Sequence, residues 1–165
     1  MKARHLFTAL LALTTVTAVA CDDEDEDPNG PPDTNTFEAS LTGAQEVPPV
    51  TTTANASATF ISSTSGATTT IQYTVTVTGN LSGPVTAAHI HGPAGTGVNA
   101  NPIVTLTVSN TTGTTGVLVS GSFTTTGNAS VTMAQLLTHM LAGNTYVNLH
   151  TTANPNGEIR GQIAD

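Results

Sequence analysis

Strict alternation between apolar and hydroxyl side chains is the feature that most restricts what this chain can fold into. Ile71, Tyr73, Val75 and Val77 are separated from one another by single Gln or Thr residues. Side chains of a β-strand point alternately to its two faces, so this pattern predicts a strand with one buried face and one polar face. Val, Ile, Tyr and Thr also fit the pleated surface of a sheet well.

Seven further short runs have the same character, and Gly, Pro, Asn and Ser residues separate them. Strands so short and so regularly spaced predict an all-β domain of about eight strands, folded as a Greek-key-like β-sandwich or barrel. The seven runs are Phe37–Thr42, Ala54–Ile61, Val85–His91, Ile103–Val108, Gly116–Thr125, Tyr146–Thr151 and Glu158–Ile163.

One segment has helical spacing instead. Thr132 and Gln135 fit a capping box at its start, and Gly143 lies where a C-terminal cap belongs. We therefore predict one short helix over residues 133–142, packed on the β-core. Its apolar stripe consists of Met133, Leu136, Leu137, Met140 and Leu141.

The first twenty residues have the layout of a secretory signal peptide. Lys2 and Arg4 form a positive start, and an apolar run of about 15 residues, 6–20, follows. Such a run is shorter than a membrane-spanning helix usually needs. We expect residues 1–20 to be removed on export.

The chain's single cysteine, Cys21, directly follows this segment. Ala18-Val19-Ala20-Cys21 resembles a bacterial lipobox, although the first lipobox residue is most often Leu. The resemblance implies that Cys21 is lipidated and anchors the protein to the membrane of the cell envelope. The alternative is an ordinary signal peptide cleaved after Ala20, with an incidental cysteine. We expect residues 21–36 to form an acidic, Pro-rich tether, and residues 37–165 to form the folded domain.

Charge excludes one class of partner. Once the signal is removed, Arg160 is the one basic residue left, while all 11 acidic residues remain. Six of these acids form the run 22–27. Such a chain cannot neutralise many phosphates, so nucleic-acid binding is disfavoured.

Three segments of the predicted domain resemble the CHRD domain, a family first described in chordin. They are residues 41–50 (LTGAQEVPPV), 87–95 (AAHIHGPAG) and 146–163, which includes YVNLHT and NPNGEIRGQI. The resemblance implies an extracellular or envelope setting and a β-rich domain, without a settled catalytic activity. In chordin the domain belongs to a protein that binds secreted growth factors.

Three histidines are the candidate metal ligands. His89 and His91 are two residues apart, so a strand places both imidazoles on one face, about 6–7 Å apart. His150 ends another predicted strand and faces away from the core. If the two strands are neighbours, the three rings converge, and three neutral nitrogens suit copper or zinc. The alternative is that the histidines only hydrogen-bond loop carbonyls and fix the turns.

The His-x-His pair in a β-sandwich also resembles copper/zinc superoxide dismutase. The chain departs from that pattern, because it cannot form an internal disulfide and has no separate cluster of His and Asp ligands. A redox enzyme is therefore the less favoured version of the metal hypothesis, and no catalytic residue is predicted.

Arg160 needs an acidic partner if it is buried. Glu158 lies two residues away on the same strand face, so we predict a structural ion pair between Glu158 and Arg160, with Glu46 as the alternative acid.

These observations favour a non-catalytic binding or interaction module that is anchored in the cell envelope and binds a protein or other envelope ligand. The alternative is a copper- or zinc-binding protein that uses His89, His91 and His150, with redox activity as a further option.

Overall fold

The computed structural model of this chain describes residues 33–165. The predicted signal peptide, Cys21 and the acidic run lie outside these residues. The strands in chain order are β1 (Asp33–Thr42), β2 (Asn55–Ser65), β3 (Thr68–Val77), β4 (Val85–His91), β5 (Pro102–Leu106), β6 (Gly116–Phe123), β7 (Thr145–Thr151) and β8 (Ile159–Ile163). A single 3-10 turn, Gly43–Gln45, follows β1, and helix α1 (Met133–Leu141) connects β6 to β7.

The eight strands form one antiparallel sheet in the order β5-β4-β7-β8-β1-β2-β3-β6. The two ends of the sheet approach each other, and a bridge between Val108 and Val119 links them. The sheet is therefore a nearly closed barrel, which protects most of its edge. The predicted all-β class with about eight strands and one helix is confirmed.

The inner face of the barrel is the core. Ile71, Tyr73, Val75 and Val77 are all buried, as their alternation predicts. Phe37 and Phe60 are cross-strand partners on β1 and β2 and fill the same interior. All eight strands contribute residues to this core.

The bounds of several strands differ from the prediction. β1 begins at Asp33, four residues before the predicted start, so it takes up residues 33–36 of the predicted tether. Backbone pairing with β2 continues there as far as Asp33 opposite Thr64. A Thr-Asn-Thr run has no apolar alternation to reveal such a ladder. β5 and β6 each end two residues earlier than predicted.

Helix α1 begins and ends as predicted to within one residue. Thr132 and Gln135 form the reciprocal capping box, and Gly143 takes a φ of 64° after the last turn. Leu136 and Met140 pack into the core, whereas Leu141 is 54% exposed and does not belong to the buried stripe. Within the described residues, no helix has the length and apolar content needed to span a membrane.

Candidate metal centre

The outer face of β4, β7 and β8 is polar and yet largely buried. Val147 and Leu149 point into the barrel, so Tyr146, Asn148 and His150 point out of it. Tyr146 and Asn148 are nevertheless buried. Together with neighbours from β4 and β8 they make what we call the polar layer: His89, His91, Tyr146, Asn148, His150 and Arg160.

Loops at one end of the barrel cover the polar layer. The β4–β5 loop, residues 92–101, presents the carbonyl and N–H of Ala100 to the hydroxyl of Tyr146, at 3.3 and 3.2 Å. Asn99 in the same loop donates to the carbonyl of Val47 at 3.0 Å, which ties this loop to the β1–β2 connection. The β7–β8 loop, residues 152–158, closes the layer near His150.

The structure brings together the three histidines that the sequence analysis singles out. β4 pairs with β7, so that His89 lies opposite Asn148, and Ala87 lies opposite His150. One ring nitrogen of each histidine lies within 4.8 Å of the corresponding nitrogens of the other two. Nδ1 of His89 is 3.1 Å from Nε2 of His150. The three rings therefore converge on one point above the sheet.

Backbone carbonyls fix two of the three imidazoles. Nδ1 of His91 lies 2.9 Å from the carbonyl oxygen of Ala100, and Nδ1 of His150 lies 2.9 Å from that of Pro155. A carbonyl oxygen only accepts, so both contacts favour the proton on Nδ1. In the neutral rings both Nε2 atoms then hold lone pairs. This second hydrogen bond to a carbonyl is how metal-binding histidines are usually oriented.

Asn148 contacts the second ring nitrogen of His91, Nε2. Its side-chain amide lies 3.1 Å from Nε2 of His91. The atom that faces Nε2 is Oδ1, which only accepts, so it competes with the Ala100 carbonyl for the single proton of the neutral ring. Asn148 thus holds the ring that the Ala100 carbonyl orients from the other side.

Burial favours the neutral form of His89 and His91. It lowers the pKa of His89 to about 4, and the neighbouring His150 and His91 rings lower it further because two imidazolium ions would repel. Burial also lowers the pKa of His91, although its bonds to Ala100 and Asn148 oppose that shift. Neutral imidazole is the form that binds a metal ion.

Tyr146 lies between His91 and Arg160. Its ring stacks on the His91 imidazole, with centroids 4.7 Å apart and planes 3° from parallel. The guanidinium carbon of Arg160 lies 3.4 Å from the centre of the same ring. β4 and β8 flank β7 on opposite sides, so the two groups occupy opposite faces of Tyr146.

Arg160 is 2% exposed, and the loop above it satisfies its guanidinium. Nη1 donates to Oδ1 of Asn99 at 3.0 Å, and Nη2 donates to the carbonyl of Val98 at 2.7 Å. Its positive charge disfavours a second positive charge on His91 and so helps to lower the pKa of that imidazole.

The predicted ion pair between Glu158 and Arg160 does not form, because the two side chains have separate partners. Glu158 is fully buried and lies just before β8, beside the β7 end rather than beneath the β4–β5 loop. Its carboxylate accepts hydrogen bonds from Thr52 Oγ1 (2.9 Å), Ser82 N (2.9 Å), Ser82 Oγ (3.0 Å), Thr151 Oγ1 (2.7 Å) and Asn154 Nδ2 (3.1 Å).

These donors decide the charge of Glu158. Burial alone would raise the pKa of its carboxyl, but the hydrogen bonds from Thr151, the Ser82 N–H and Thr52 outweigh burial and hold the pKa below its usual value. Glu158 is therefore an anion that ties the β7 end, β8 and two loops together.

Glu46, the alternative acid, is buried against Gly157 and lacks a hydrogen-bond partner for Oε1 among the described residues. Burial raises the pKa of its carboxyl to about 7, and the charge of Arg160 only partly offsets that effect. Glu46 thus lies within electrostatic reach of Arg160 without pairing with it.

A family model for the CHRD domain matches residues 37–163. The chain belongs to the CHRD domain family. No curated protein and no solved structure matches it significantly.

All three segments that carry the CHRD resemblance meet at the polar layer. Residues 87–95 supply His89 and His91, and residues 146–163 supply the other members. Residues 41–50 supply Val47, whose carbonyl accepts from Asn99 in the loop that covers the layer. The segments that mark this chain as a CHRD domain are therefore the ones that enclose the histidines.

Sequence reasoning missed several residues of this CHRD domain that complete the layer. Asn148, Asn99 and Ala100 hold His91 and Arg160, and Thr52 and Ser82 hold Glu158. Only the position of Asn148, on the same strand face as His150, was a usable signal. The others are polar loop residues like many more in a Thr- and Asn-rich chain.

Proposed function

We propose that this CHRD domain is a metal-binding module in which His89, His91 and His150 hold one copper or zinc ion. The observation that carries the proposal is the convergence of three imidazole nitrogens within 4.8 Å of one another. The hydrogen bonds of His91 and His150 to backbone carbonyls support it, since a proton held at Nδ1 leaves Nε2 as the ligand atom. At His91 the ion would displace Oδ1 of Asn148 from Nε2.

The distances suit a common ion after a small adjustment. Metal–nitrogen bonds are about 2 Å long, so two nitrogens on one ion lie at most about 4 Å apart. His89 and His150 already meet this limit at 3.1 Å. Moving the widest pair by under about 1 Å, through ring rotation, brings the third nitrogen within bonding range.

The donor set selects the class of metal. Three neutral imidazoles suit copper and zinc, whereas magnesium, calcium and manganese prefer oxygen ligands. The described residues contribute no carboxylate to the group. At equal availability, divalent copper binds such nitrogen sites more tightly than zinc.

Metal binding is consistent with the non-catalytic binding module that CHRD membership suggests, because holding an ion requires no turnover.

We also propose that the module is displayed on the cell envelope by a lipid on Cys21, with the acidic segment as its tether. The lipobox-like sequence before Cys21 supports this part, and labelling of the protein with a radioactive fatty acid in wild type but not in Cys21→Ser tests it.

Metal content of the purified protein tests the proposal. The chain from residue 22 onward keeps every described element and lacks the reactive cysteine. We expect one copper or zinc ion per chain by elemental analysis after dialysis against excess metal.

Replacing His89, His91 and His150 together by Ala should abolish stoichiometric binding. His139→Ala is the matched control, because His139 lies on helix α1 and outside the cluster. A folded wild-type protein that binds no ion, or a triple variant that binds as tightly as His139→Ala, would overturn the proposal.

A further inference from the structure

We infer that the ion held by the three histidines keeps one coordination position open to solvent and binds a small monovalent anion there. This inference rests on the proposed metal site and names what that site binds in turn. Zinc and divalent copper take at least four ligands as a rule, and sites with three protein ligands complete their shell with water or an exogenous group. The described residues provide three.

Solvent reaches the cluster from one side. His91 is buried beneath the β4–β5 loop, between Ala100 and Asn148. His89 and His150 are only half-buried. The remaining coordination position therefore faces outward between the rings of His89 and His150, where a small ligand can enter without opening the barrel.

The charge around the site favours an anion as that ligand. Three neutral imidazoles leave both positive charges of a divalent ion uncompensated, and Arg160 adds a third charge across the Tyr146 ring. The carboxylate of Glu158 is engaged by its own donors around Thr151 and Ser82. Glu46 compensates only part of this charge near pH 7, because burial raises the pKa of its carboxyl to about 7.

Arg160 acts here as a positioning charge and not as a ligand. Val98 and Asn99 accept one hydrogen bond each from its guanidinium, and the Tyr146 ring lies between it and His91, so it acts on the anion from a distance. It strengthens anion binding through its field, which decays slowly in a site of low effective dielectric. A charge at this position should therefore matter more than the hydrogen-bonding shape of the guanidinium.

Azide titration of the copper-loaded protein tests the inference. The holoprotein, in buffer without halide or phosphate, should develop a new azide-to-copper charge-transfer band that saturates at one azide per copper. Copper content, measured after gel filtration, should stay at one per chain. No band at saturating azide from a protein that holds copper would overturn this inference and leave the metal site intact; failure to hold copper would overturn the proposed function itself.

Two variants separate charge from shape. Arg160→Met should weaken azide binding by roughly fivefold to tenfold at unchanged copper stoichiometry, whereas Arg160→Lys should stay within about twofold of wild type. Glu46→Gln changes the charge in the opposite direction: at pH 8, above the pKa of about 7, it removes a largely ionised carboxylate, so azide should bind about twice as tightly. Equal azide affinity in Arg160→Met and wild type, with both folded, would contradict the role of Arg160.

Discussion

Strands β3 and β7 look alike from inside the barrel and differ completely outside it. In β3, buried Ile71, Tyr73, Val75 and Val77 alternate with exposed or half-exposed Thr and Gln. In β7 every residue except His150 is buried, including the outward-pointing Tyr146 and Asn148. The inner faces serve the same core, whereas only β7 has loops packed over its outer face.

This difference shows that the polar layer is a second interior built on the outside of the barrel. The apolar core inside the barrel joins all eight strands. The loops over β4, β7 and β8 are held by hydrogen bonds to Arg160, Tyr146 and Glu158 instead. Substitutions on the two outer faces should therefore have very different effects.

The largest effect on stability is expected at Glu158, which lies beside the loop-covered outer face of β7. Glu158→Ala leaves the buried donors of Thr52, Ser82, Thr151 and Asn154 without their acceptor, so we expect it to lower the free energy of unfolding by about 3–4 kcal/mol. Urea unfolding at pH 7 measures this.

Glu38→Ala is the control on the open face, by which we mean the solvent-exposed outer face of the barrel. Glu38 is an exposed acid on this face of β1. It should change stability by less than about 0.5 kcal/mol. Similar values for Glu158→Ala and Glu38→Ala would remove the distinction between the faces.

A smaller effect is expected when Arg160 and Thr74, the outer residues of β8 and β3, are compared. Arg160→Met keeps the length of the side chain but loses the bonds to Val98 and Asn99 and the contact with Tyr146. We expect a loss of about 2–3 kcal/mol, against less than about 0.5 kcal/mol for Thr74→Ala.

Differential scanning calorimetry of the two variants and wild type measures this difference. A Thr74→Ala variant as unstable as Arg160→Met would mean that the open face contributes as much as the covered one.

The smallest effect concerns the pH dependence caused by Glu46. Its pKa is raised on folding from 4.5 to about 7, so the folded state binds the proton more tightly than the unfolded state. Stability is therefore lost as pH rises from about 4.5 through 7. Between pH 5 and pH 8 we expect wild type to lose about 1–3 kcal/mol relative to Glu46→Gln.

Urea unfolding of both proteins across this range tests the prediction, and contributions from the histidines cancel in the difference. Parallel stability curves for wild type and Glu46→Gln would show that Glu46 titrates alike in the folded and unfolded states.

The strands were predictable because alternation is local. Ile71 to Val77 carries the whole signal for β3, and Thr132, Gln135 and Gly143 carry that for helix α1. The polar start of β1 was not predictable, since pairing with β2 alone extends the strand there.

The site was predictable only in part. His89 and His91 share a face by spacing, but their convergence with His150 depended on β4 and β7 being neighbours, which a single sequence does not establish. The separation of Glu158 from Arg160 could not be foreseen, because Ser82 and Asn99, which engage them instead, are 76 and 61 residues away along the chain.

X-ray absorption at the copper or zinc edge of the metal-loaded protein tests the central claim most directly. We expect a first shell with three imidazole nitrogens at about 2.0 Å, visible through the multiple scattering of the rings, and one further light atom. A shell of oxygens without imidazole scattering would contradict the assignment of His89, His91 and His150 as the metal ligands.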